Sequence, residues 1–465
     1  MHKLNKYKSR RDFLKLSAMA TMGLATPFSS MSRMRAMNSM LPAPPFTGYK
    51  AIVCLFLHGG NDSYNMLMPK SGTPYSDYQA TRSNLAIDSA EMLGIESDNF
   101  GLHPSMSNAQ QMYTDNELAY ICNAGTLIEP VTKQQYLDGV APLPLGLFSH
   151  LDQFNHWQTA LPGTRTNIGW AGKVADLIGD QNGNQFIPMN VSLSGSNIFQ
   201  YGANSSEFSM NSSGPVMPTN WDATWGHNPQ RRAALDSMIH RSYDDMYMGT
   251  YNSIFRDAVD GGQDFQAALE NSYDFATPFS GHYVSQNFEM IAQTISVQSD
   301  LDFQRQIFWV RYGGWDHHDE LLSDHQNYLS VVDAALGEFN SALKEIGRFN
   351  DVTTFVVSEF SRKLTSNGNG TDHAWGGNMM VMGGGVNGGS MYGNYPSLAL
   401  NSNPQLVHNG TLIPDTASDS VFAELAMWYG IPVSDLISVF PNLGNFHDMM
   451  SLSTSNPPLG FMKLL

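Results

Sequence analysis

The chain has 465 residues, 42% of them apolar, and a formal charge of −17. That length suits two or three domains of about 150 residues, or one large α/β domain with insertions. Its acidity argues against nucleic-acid binding and favours cation capture.

The first element in chain order is Ser9-Arg10-Arg11-Asp12-Phe13-Leu14-Lys15, followed by a mild apolar run over 16–25. Paired arginines, an aromatic, a leucine and a modest apolar segment form the pattern of a twin-arginine export signal. The bland alternative is an amphipathic amino-terminal helix that happens to carry two arginines. The export reading predicts the twin-arginine translocase as a transit partner and a periplasmic or extracellular location. It also predicts a passenger that folds in the cytoplasm, often around a metal. Residues 1–36 are assigned to signal and linker. They hold eight of the 25 Lys/Arg and one of the 42 Asp/Glu, so without them the charge is −24. Downstream, no run approaches the roughly 18 apolar residues of a membrane span, so the chain reads as not an integral membrane protein.

Residues 45–450 are read as one α/β domain. Lys50-Ala51-Ile52-Val53-Cys54-Leu55-Phe56-Leu57 has the continuous apolar character of a fully buried strand, closed by His58-Gly59-Gly60-Asn61-Asp62. That pattern marks a central parallel strand with functional groups at its carboxyl end. It recurs at 117–122, 306–312 and 352–357, and at 379–382 running into Gly383-Gly384-Gly385. Helical patterns over 105–115, 151–160 and 323–348 lie between. In the last, Leu329, Val332, Leu336, Phe339, Leu343 and Ile346 form one buried face. Strands alternating with helices predict a mostly parallel sheet sandwiched by helices, with ligands beyond the strands' carboxyl ends. Residues 195–300 are read as an insertion or cap, with a long loop over 194–218 and helices over 231–259 and 264–297. Cys54 and Cys122 fall inside strands and read as buried thiols.

Four acid- and histidine-bearing segments fall at strand ends: Asp62, then Asp316 with His317 and His318, then Glu359, then Asp372 with His373. Carboxylates with imidazoles suit one or two divalent ions, zinc, manganese, magnesium or calcium. Such ions can clamp the attacking and leaving oxygens of a phosphoryl or sulfuryl displacement. Each element also has a plain structural reading. Asp62 could cap a helix, Glu359 could pair with Arg362, and Asp372 could make an Asx turn. Ser149, before the helix over 151–160, is the candidate nucleophile with His150 beside it. An N-cap serine gains from the helix dipole, Ser63 is the rival, and a plain N-cap is the alternative.

The motifs Leu57-His58-Gly59-Gly60-Asn61-Asp62, Leu102-His103-Pro104, Ser149-His150-Leu151-Asp152, Gly313-Gly314-Trp315-Asp316-His317-His318, Ser358-Glu359-Phe360-Ser361-Arg362 and Gly370-Thr371-Asp372-His373 keep their order along residues 49–450. Together they resemble the twin-arginine-exported family known as domain of unknown function 1501. That resemblance implies an alkaline-phosphatase/sulfatase-like fold and a metal-dependent hydrolase. By it, Asp62 would be the first-strand metal acid, and Asp316 with His318 the later ligand pair. Glu359 would stand where an Asp-His pair is usual. Phe360 follows it, so one histidine ligand is missing there, which bears on a two-ion count, and Asp372-His373 would compensate. No C/S-x-P-x-R sulfatase signature is present. The expected function is an exported hydrolase of small or polymeric phosphate or sulfate esters. The alternative is a non-catalytic envelope binding protein on a degenerate form of the same fold.

Overall fold

The structure, a computed structural model, describes residues 46, 48–184 and 186–464, so the export segment and its linker lie outside the described residues. Its centre is β1 (Lys50–His58), whose interior residues are all buried. Burial on both faces explains why this strand reads as an unbroken apolar run without alternation. The other main strands are β2 (Leu118–Gly125), β3 (Asn190–Ser192), β4 (Phe208–Asn211), β5 (Arg305–Gly313), β6 (Val352–Val357) and β7 (Gly377–Met382). They lie in the order β2-β7-β6-β1-β5-β3-β4, in a sheet that short edge strands bring to ten. β1 pairs in parallel with both neighbours, Ala51 opposite Val352 and His58 opposite Gly313. The carboxyl ends of β1, β5 and β6 therefore emerge at one edge.

The helices used below are α1 (Gly72–Arg82), α2 (His150–Thr159), α3 (Trp170–Ile178), α4 (Asn228–Ile239), α5 (Met246–Leu269), α6 (Tyr283–Ser296), α7 (Leu321–Glu345) and α8 (Ser418–Tyr429). α6 packs along α7, and Leu329, Val332, Leu336, Phe339 and Leu343 of α7 are buried, as their spacing predicts, while Ile346, the last of the expected face, is the residue after the helix and only partly buried. A second group is joined by aromatic contacts. Trp170 of α3 lies 4.9 Å from Phe422 of α8, and Phe422 lies 5.9 Å from Phe355 of β6. The architecture is the expected one, an α/β protein with a mixed, mostly parallel sheet flanked by helices. No helix among the described residues is long and apolar enough to cross a membrane.

Three sequence expectations are corrected. β7 runs antiparallel to β6 and β2, so Gly377 stands at the functional edge and Gly383-Gly384-Gly385 at the far one. The reason is the connection: residues 358–376 stay at the carboxyl edge, and a strand that starts there must run back. Second, the stretch over 194–218 is not all loop. β4 pairs in parallel with β3 and forms a hairpin with Gly214–Pro215. Its four residues alternate too briefly for periodicity to reveal them. Third, the two long helices of the insertion are three. α5 is capped by Asp245, whose side chain accepts Met248 N–H at 2.8 Å, and Pro278 and Gly281 stand in the break before α6. Cys54 and Cys122 are buried free thiols.

Candidate functional site

Two loops and a hairpin meet at the carboxyl edge. After β5 the chain turns through Gly314 and brings Trp315 and Asp316 against the end of β1, where Trp315 N–H donates to the His58 carbonyl at 3.2 Å. The approach is so close that a Cβ on Gly59 (φ +130°) would lie 2.6 Å from the backbone nitrogens of Trp315 and Asp316, which only glycine allows. After β6 the chain folds into a hairpin, with Lys363 N–H donating to the Asp372 carbonyl at 2.8 Å and Arg362 bridged to His373. Gly370 lets it rest on the other loop, because a Cβ there would lie 2.3 Å from the His318 carbonyl carbon. Ser149 then begins α2 and sets His150 above both.

At their junction His150, Asp316 and His373 each offer one ligand atom, all within 4.8 Å of one another. His318 joins them. Its Nε2 lies 3.0 Å from Asp316 Oδ1 and 3.1 Å from His373 Nε2, and His373 Nε2 is 3.3 Å from Asp316 Oδ1. His150 Nε2 is 3.4 Å from Asp316 Oδ2 and has no hydrogen-bond partner although buried. Donors about 2.0–2.1 Å from one tetrahedral ion stand roughly 3.3 Å apart, and these separations fit that spacing. Three imidazoles and a carboxylate are also the donor chemistry of zinc and similar ions.

The outer nitrogens are held too, which is the second requirement of a built metal site. His373 Nδ1–H donates to the Phe148 carbonyl at 2.8 Å, leaving the Nε2 lone pair facing the junction. His150 Nδ1 bonds Glu359 Oε1 at 2.9 Å, and the same oxygen accepts Gly59 N–H at 2.8 Å and lies 3.2 Å from His58 Nδ1. Burial pushes the Glu359 carboxyl up, but the bonds from His150 and His58 outweigh it and hold the group at about 2. Glu359 in turn raises His150 above its ordinary value, against the pull of burial. Asp316 is likewise held low. Burial works against it, and Arg362, whose Nη1 donates to Oδ1 at 2.7 Å, overcomes that.

The structure thus gathers His150, Asp316, His318 and His373, and puts two other predicted ligands behind them. Glu359 orients His150. Asp372 Oδ1 lies 3.7 Å from His318 Nδ1 and Oδ2 accepts from Lys363 at 3.3 Å. Asp62 does not join them. It is fully buried and paired with Arg82 of α1, with burial pushing its carboxyl up and Arg82 and Arg362 pulling it back. Nor does Glu359 pair with Arg362, which binds Asp316. Ser149 is the N-cap of α2, its side chain accepting Asp152 N–H at 3.4 Å. Ser63 is buried, bonded to Ser361 Oγ at 2.9 Å and accepting Asn378 N–H at 2.8 Å. His58 and Arg362 were not predicted as site residues. Both stand inside quoted motifs at strand ends, and that position was the available signal.

Fold and site define an α/β protein with a histidine–carboxylate junction at the carboxyl edge of its sheet. The chain belongs to the family described as Protein of unknown function (DUF1501), whose model matches residues 49–419. No curated protein shows significant similarity to it. Among solved structures, it is similar to Ps i-CgsB in complex with k-i-k-neocarrahexaose, at 8% identity over 86% of this chain and 77% of that one, with a TM-score of 0.36. An alkaline phosphatase, PafA in a substituted form, matches at 10% identity over 69% and 64%, with a TM-score of 0.32. The PsFucS1 sulfatase from Pseudoalteromonas sp. matches at 9% identity over 79% and 68%, with a TM-score of 0.30.

Proposed function

We propose that this chain is an exported metal-dependent hydrolase of phosphate or sulfate esters, working outside the cytoplasm after twin-arginine transport. The observation that carries the reading is the junction itself. One ligand atom each from His150, Asp316 and His373 lies within 4.8 Å of the others, His318 Nε2 stands 3.0 Å from Asp316 Oδ1, and hydrogen bonds to Glu359 and the Phe148 carbonyl orient two of the rings. His150, Asp316, His318 and His373 would hold the ion. A bound divalent ion polarises an ester oxygen and acidifies a water or alcohol beside it. The protein's part is to keep Asp316 ionised through Arg362 and to keep Nε2 of His150 and His373 turned inward. Ser149 begins a helix, where backbone N–H groups and the dipole favour an ester's anionic oxygens, and it is the candidate attacking alcohol.

Phe360 favours one ion over two. Its ring lies 4.8 Å from that of His150 and 4.7 Å from that of His373, on the ground a further ligand would need. The same ring supports the second reading, a binding protein with a degenerate site. Elemental analysis of protein purified after native export, followed by turnover of aryl phosphates and sulfates, tests both. The hydrolase reading expects about one equivalent of metal, lost together with turnover in Asp316→Ala and His318→Ala while the fold persists. Full turnover in both variants would sink it. Metal without any turnover would favour the binding protein.

A further inference from the structure

A cleft of about 370 Å³ opens beside His318 and His373, its other walls being Phe148, Lys363, Asp372, His408 and Thr411. His408 and Thr411 reach it from a short hairpin that pairs Leu406–Val407 with Thr411–Leu412. In a chain of charge −17, this wall carries no net formal charge, Lys363 standing against Asp372. It presents Lys363 and His408 with one carboxylate, and Asp372 is engaged by Lys363 and His318. Thr411 is 0% exposed, and its Oγ1 has no hydrogen-bond partner. A buried hydroxyl left unpaired is costly, so an oxygen-bearing ligand in the cleft would relieve it. Phe148 exposes 39% of its surface here while its carbonyl is tied to His373. The apolar wall is thereby fixed relative to the junction.

We propose that this cleft binds the carrier of the ester, and that the carrier is a sugar bearing a further sulfate or phosphate group. A sugar ring has an apolar C–H face to lie on Phe148, hydroxyls to reach Thr411, and in this class a second anion to meet Lys363. A purely apolar carrier would leave the Thr411 hydroxyl unanswered and offer nothing to Lys363 beyond its bond to Asp372. The inference rests on the ester-hydrolase reading and assigns it a substrate class.

Calorimetric titration of the full metal-loaded chain with non-cleavable disaccharides carrying two sulfonate or two phosphonate groups tests it, with the uncharged disaccharide as comparison. The charged sugars should bind, and the stronger of the two names the ester. Lys363→Gln should weaken binding by about tenfold or more, the size of one lost charge-assisted hydrogen bond. Thr411→Val removes only the hydroxyl. It should weaken binding several-fold while leaving the melting temperature unchanged or higher, which a purely structural threonine would not do. Both variants should keep the wild-type metal content. Equal binding by wild type and both variants, or preference for the uncharged sugar, would overturn the proposal. Those results leave metal content and aryl-ester turnover untouched, so the subsite and the hydrolase reading can fail separately.

Discussion

Glu359 is 1% exposed and still ionised, because His150, His58 and the Gly59 N–H converge on one of its oxygens. It touches no open part of the site and acts through His150. Partners of this kind usually change metal affinity by 10- to 100-fold. Glu359→Gln should therefore weaken metal binding by roughly that factor, measured by competition with a chromophoric chelator, with the fold retained. Unchanged affinity would remove Glu359 from the site. At this scale the sequence was informative about residue types and poor on partners. Asp316, His318 and His373 stood out because acids and imidazoles at strand ends are few, and they do meet. The pairing of Glu359 with His150, 209 residues away, and of Arg362 with Asp316 rather than with Glu359 follows from where two loops cross, which local spacing does not encode.

Among the elements, α1 does something its sequence does not announce. It delivers Arg82 to Asp62, both fully buried, and Arg82 Nη1 also donates to the carbonyls of Lys363 and Leu364 at 3.0 and 3.2 Å. The pair thus ties the β1 loop to the base of the hairpin that carries His373. Removing one partner of a buried ion pair strands the other charge, at a cost of about 3–5 kcal/mol. Asp62→Ala should lose stability of that order in urea denaturation while the junction residues stay intact. A loss under about 1 kcal/mol would mean that the pair is not what holds the hairpin. Element identities were legible wherever burial imposes a pattern. The apolar runs over 50–57 and 352–357 became strands at almost those bounds, and the α7 stripe is buried as spaced. The direction of β7 was not legible. An apolar run reads alike in both senses, and only the length and path of the preceding connection decides which way it runs.

Across the whole molecule, the net acidity includes buried carboxyls that oppose stability, and among the described residues Asp419 is the most strongly shifted of them. Asp419, in the first turn of α8, is 0% exposed. Burial pushes it from its ordinary 3.8 up to about 8, against the pull of Lys173. Between those values the folded state keeps a proton that the unfolded chain has released, so stability falls as pH rises through that window. The expected loss is on the order of 1.4 kcal/mol per pH unit. Urea midpoints at pH 5, 6 and 7 should drop steadily in the wild type and be flatter in Asp419→Asn. Parallel profiles would show that Asp419 does not carry the effect.

By itself the sequence determined the α/β class, the central strand and its glycine-closed carboxyl end, the family, and the acid and histidine types gathered at one sheet edge. These follow from burial and chain geometry, which act on neighbouring residues and so leave a local pattern. The tertiary structure alone decided that Asp62 answers Arg82, that His150 joins the junction, that Glu359 and Asp372 stand behind the histidines, and that Phe360 fills the adjoining ground. These are contacts between segments tens to hundreds of residues apart. Their geometry is set by how loops cross over a twisted sheet, and no periodicity along the chain records it.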